Sequence, residues 1–172
     1  MILGILSVSA FTTLHVIISL VAIASGAVVL VGMLGSHRLP GWTALFLVTT
    51  TLTSVTGFLF PINGFTPAIG VGIVSLIVLL IALLALYGRH LAGAWRWIYV
   101  VSAVAALWFN GFVLIVQAFE KLSLLNPHAP QVGPPFPDPQ NTQFAIAQGV
   151  MLVLLLVLGV IAARKFHPTP AA

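Results

Sequence analysis

The chain has 172 residues, of which 60 % are apolar and only 5 % charged, and its mean hydropathy is +1.20. So few charges cannot clothe a water-soluble domain of this size, which excludes the soluble globular classes. The formal charge of +4 reflects a shortage of acids, because no basic cluster exceeds Arg164-Lys165, and it excludes nucleic acid as a partner.

Cysteine is absent, which removes disulfides, thiolate metal sites and cysteine nucleophiles. A hydrocarbon core about 30 Å thick requires about 20 apolar residues per helix, so the chain has room for about five spans and short loops. The fold class expected is all-α: a single integral membrane helical bundle over residues 1–172.

The opening segment, Met1 to Ala10, lacks the basic stretch of a secretory signal and is expected to remain as an interfacial lead-in. A helix running from Met1 to Leu34 would be about 51 Å long, too long for one untilted span. Span one is therefore placed at residues 11–34. The run Gly35-Ser-His-Arg-Leu-Pro-Gly41 breaks it, and span two follows at 42–60. A turn from Pro61 to Pro67, containing Asn63-Gly64, leads into span three at 68–87. The basic loop 88–96 precedes span four at 97–119, which is uncharged yet places Asn110 and Gln117 on one helical face. Span four is thus the expected inner wall.

Residues 120–141 hold Pro127, Pro130, Pro134, Pro135, Pro137 and Pro139 and cannot form a regular helix through their middle. They read as an extended connector, with a lid or partner-binding strap as the alternative. Span five is expected at 142–163, followed by a short tail.

Basic residues set the orientation. Arg38, Arg89, Arg96, Arg164 and Lys165 fall in one set of loops, against Lys121 alone in the other. The N-terminus is expected outside and the C-terminus in the cytoplasm, with the proline-rich loop external. Trp42, Trp95, Trp97 and Tyr99 then form an aromatic belt at the cytoplasmic interface.

An internal echo accompanies this pattern. Gly35-x-His37-x4-Trp42 matches Gly88-x-His90-x4-Trp95, and Gly57-Phe58 is followed in kind by Gly111-Phe112. Spans one to four read as two tandem hairpins with span five outside them, or the echo is a coincidence of common loop residues.

No charged side chain falls within an expected span, which weighs against proton relays and ion pathways. The neutral polar groups lie mostly in the outer half. His15, Ser19, Ala22 and Gly26 share a face of span one, and Thr49, Thr53 and Thr56 a face of span two. With Asn110, Gln117 and Gln148 they compose the candidate ligand-binding set: His15, Ser19, Thr53, Asn110, Gln117 and Gln148. The same residue types also serve as interhelical contacts. His15 can ligate haem iron or bond a quinone carbonyl, but it stands alone among the spans, so bis-histidine ligation lacks a partner. His37 and His90 occupy matching loop positions beside Arg38 and Arg89, where they suit phospholipid headgroups better than a metal. No catalytic signature is present, and no metal site is expected.

The run Asn110-Gly-Phe-Val113, Gln117-Ala-Phe-x-Lys121, Pro127 and Pro134-Pro-Phe136 resembles a pattern in uncharacterised small multi-span membrane proteins of bacteria. The likeness spans about residues 10 to 165. It implies a bacterial inner-membrane location and brings no activity with it.

The function expected from these observations is that of a non-catalytic accessory, assembly or lipid-interacting scaffold subunit. Its partners would be membrane lipids, other membrane subunits or further copies of itself. Two alternatives stand beside it: a redox-associated subunit binding haem or quinone through His15, Asn110 and Gln117, and a small oligomeric permease.

Overall fold

Five α-helices and no strand occur among the described residues, which in this computed structural model are 7–60, 64–122 and 142–168. Helix α1 covers Val8–Leu34, starting before residue 11 because the Ser7 hydroxyl accepts from the Ala10 amide at 3.1 Å and caps the first turn. Helix α2 covers Pro40–Gly57, its proline placed at the start where no amide donor is needed. Helix α3 covers Pro67–Leu83 behind a Thr66 cap and widens into a π-helical turn over Leu84–Gly88. There the Arg89 amide reaches back to the Leu84 carbonyl at 2.8 Å. Helices α4, Trp95–Lys121, and α5, Thr142–Lys165, complete the set. The proline-rich connector between them lies outside the described residues beyond Leu122, as does the lead-in before Ser7.

Four of these segments are long and apolar enough to cross a membrane: Val8–Leu34, Ala68–Gly88, Trp95–Glu120 and Thr142–Lys165. Helix α2 falls outside that group because Thr43, Thr49, Thr50, Thr51, Thr53, Ser54 and Thr56 lower its hydropathy. Several of these hydroxyls close on their own helix. Thr49, Thr51 and Thr56 donate to the carbonyls of Leu45, Leu47 and Leu52 at 2.6, 2.7 and 2.6 Å.

Packing runs α1 to α2, α2 to α3, α3 to α4 and α4 back to α1, a four-helix ring, while α5 leans on α4 and α1. Small residues let the backbones approach: Ala22, Ala82, Ala85, Ala106 and Ala162 are fully buried. Gly26 marks the tightest junction, because a Cβ there would fall 2.8 Å from both Leu107 Cδ1 and Phe46 Cε2. The buried core of the bundle includes Val29, Met33, Phe46, Leu47, Val100 and Ala103.

The α1–α2 turn, the π-helical turn with the start of α4, and the end of α5 gather at one end of the bundle. The Ser36 hydroxyl accepts from the His167 amide at 2.8 Å, and Arg96 donates to the Phe166 carbonyl at 2.7 Å. Arg38, Arg89, Arg96, Arg164 and Lys165 all belong to these segments, so this is the basic end. Glu120 closes α4 at the opposite end.

The expected aromatic belt needs one correction. Trp42 and Trp97 are about half exposed, but Tyr99 is buried. Two residues advance a helix by about 200°, so Tyr99 must face away from Trp97 and into the bundle. Trp95 is half-buried and carries the Arg89 guanidinium 5.1 Å from its ring.

Candidate functional site

The helices distribute the expected polar set over three interfaces. Between α1 and α2, His15 Nδ1 meets the Thr56 hydroxyl at 2.8 Å, and its ring stands edge-on to Phe60 with centroids 5.3 Å apart. Phe60 in turn packs on Phe11 at 5.0 Å. Ser19 turns back to the His15 carbonyl at 2.7 Å, closing its hydroxyl on its own helix. The Thr53 hydroxyl is buried without a hydrogen-bond partner.

Between α4 and α2, Asn110 Nδ2 donates to the Thr50 hydroxyl at 3.1 Å. Thr50 and Thr56 are separated by about 9 Å along the helix axis, so the Asn110 and His15 contacts occupy different levels. Between α5 and α4, Gln148 Nε2 donates to the Phe112 carbonyl at 3.1 Å, while its Oε1 stays buried and unpartnered. The Trp108 indole N–H, whose ring packs 5.6 Å from Phe112, is also buried without a partner. Gln117 donates to Glu120 at 3.0 Å within α4 itself.

Two interior contacts escaped the sequence reading. Thr50 sits inside a Thr-Thr-Thr run, and the face chosen from spacing was Thr49, Thr53 and Thr56 instead. Ser54 and Ser75, 3.2 Å apart across α2 and α3, gave no signal because each is an ordinary small residue in an apolar helix.

The basic end holds a crevice of about 50 Å³. His37, Arg38 and Tyr87 border it with exposed side chains, and Thr43, Tyr99 and Phe166 border it with buried ones. Its walls come from local backbone features. Ser36, at φ 60°, turns the chain after α1 and presents His37 and Arg38. The π-helical turn presents Tyr87, and the Arg96 tie to Phe166 holds that ring 6.1 Å from Tyr99. Among the described residues, no three His, Asp or Glu side chains cluster as metal ligands would.

Compared with known proteins, the chain matches no family, no curated protein and no solved structure.

Proposed function

We propose that the chain is a five-span integral protein of the bacterial inner membrane, acting there as a non-catalytic accessory or assembly subunit. One observation carries this reading: neutral polar side chains are placed inside the bundle among its apolar core, while the outer surface of the helices is aliphatic. Thr43, Thr49, Thr50, Ser54, Ser75 and Asn110 are buried, whereas Leu45, Val48, Leu52 and Val55 on the same α2 face outward. That placement of hydroxyls inward and aliphatic side chains outward suits a helix surrounded by lipid, and it supports counting α2 as a span despite its threonines. The interior polar groups bond mostly to each other or to helix carbonyls, as structural contacts do. Helix α5 leaves Val150, Val153 and Leu156 exposed along its outer face, a surface fit for lipid or for another membrane chain.

The positive-inside rule supports a cytoplasmic basic end. Cysteine accessibility tests both parts of the reading, because the chain has no cysteine of its own. Leu122→Cys should react with an impermeant maleimide on intact cells and Ala92→Cys only after permeabilisation. The reverse pattern overturns the orientation. A photocrosslinker at Val153 should join the chain to one discrete polypeptide in native membranes. Adducts with lipid alone, at Val150 and Leu156 as well, overturn the subunit reading.

A further inference from the structure

We infer that the crevice at the basic end is a binding site for the headgroup of an anionic phospholipid. This rests on the membrane-spanning reading above and adds a ligand to it. The chemistry is that of a phosphate diester: a guanidinium at the rim, hydroxyl groups at the floor, and apolar walls. Arg38 is exposed at the rim beside Tyr87, while Thr43 and Tyr99 lie beneath at 7 % and 2 % exposure. About 50 Å³ accommodates on the order of four water-sized atoms, the scale of a phosphate's oxygens rather than of a whole lipid.

Two further observations converge on this place. Among the described residues the basic end carries no acidic side chain, so its field is of one sign, while two of its cations are already engaged. Arg96 is held by the Phe166 carbonyl and Arg89 lies over Trp95, which leaves Arg38 as the cation bordering the crevice. Unusual backbone also concentrates here. The π-helical turn supplies Tyr87, and the left-handed Ser36 directs Arg38. Such features are retained where the surroundings over-determine them, commonly at ligand sites.

The test uses the full chain, delipidated in mild detergent and titrated with phosphatidylglycerol, phosphatidylcholine or inorganic phosphate, with retention read by native mass spectrometry. Phosphatidylglycerol should be retained in preference to phosphatidylcholine. R38Q should weaken its retention about five-fold, the effect of one cation near an anionic headgroup. R38K should restore most of that loss, and R164Q, away from the crevice, should change it little. Equal loss in R38Q and R164Q overturns the proposal in favour of diffuse surface charge. Retention of inorganic phosphate as strong as that of the lipid overturns the lipid assignment. Alkaline carbonate extraction separates the two readings. A chain released by carbonate refutes the membrane reading itself, whereas a chain kept in the bilayer without phosphatidylglycerol preference refutes only this site.

Discussion

Asn110 of α4 donates to the Thr50 hydroxyl of α2 across 3.1 Å, with both side chains inside the bundle at 8 % and 0 % exposure. This bond ties α2 to α4 across the four-helix ring. Interhelical bonds of this kind contribute about 0.6 kcal/mol on average and up to about 1.7. Asn110→Leu should therefore destabilise the protein by about 1 kcal/mol in reversible unfolding from mixed micelles. Thr50→Val should cost a similar amount, and the double variant less than the two singly combined. Strict additivity would mean that the two side chains do not interact.

Gly26 and Gly149 should respond in opposite directions to the same methyl group. At Gly26 a Cβ meets Leu107 and Phe46 at 2.8 Å, and Phe46 is itself fully packed. Gly26→Ala should cost about 1–3 kcal/mol, the usual range for overpacking. At Gly149, inside α5, nothing lies within 4 Å of the new atom. Gly149→Ala should be neutral or stabilising by up to about 1 kcal/mol, through helix propensity. Parallel thermal unfolding in detergent decides it, and a stabilised Gly26→Ala would contradict the α1–α2–α4 junction described above.

His15 should act through both its ring and its nitrogen. His15→Phe keeps an aromatic edge against Phe60 but removes the bond to Thr56, whereas His15→Ala removes both. An aromatic pair contributes about 0.5–1.5 kcal/mol beyond its buried area. The alanine variant should therefore melt below the phenylalanine variant, and both below the parent. Coincident melting of the two variants would show that the ring contact contributes nothing.

The tail after α5 should depend on Arg96. The Arg96 guanidinium holds the Phe166 carbonyl at 2.7 Å, and the Phe166 ring is buried against Tyr99. Arg96→Met should raise amide exchange at Phe166 and His167 at least several-fold while leaving the middle of α4 protected. Unchanged exchange at Phe166 would show that ring burial alone secures the tail.

Much of the architecture is legible in the residues because period and composition are local properties. Proline and glycine punctuation located the helices, and the bounds moved by a few residues. Helix α1 begins at Val8 under its Ser7 cap, α2 covers Pro40–Gly57 rather than 42–60, α4 covers Trp95–Lys121 rather than 97–119, and α5 ends at Lys165 rather than at 163. Pairings were less legible. Asn110 announces a buried polar side chain, but whether it meets Thr49, Thr50 or Thr53 depends on the rotation of α2, which a run of threonines leaves open. Tyr99 looked like a belt residue beside Trp97 until its own angular position placed it inward. The widening of α3 at Leu84–Gly88 has no signature in LALYG, since a π-helical turn is imposed by what the helix must join.

The amino-acid string by itself determined the all-helical class, the apolar lengths and the distribution of charge among loops, because each follows from residues close together in the chain. Only the tertiary structure decided which polar groups meet, that α5 stands against α4 and α1, and that Arg38, Thr43 and Tyr99 border one crevice. Those outcomes depend on the rotation and depth of one helix against another. They are settled by small residues such as Gly26 and Ala22, which fit close contact wherever the opposing surface allows it.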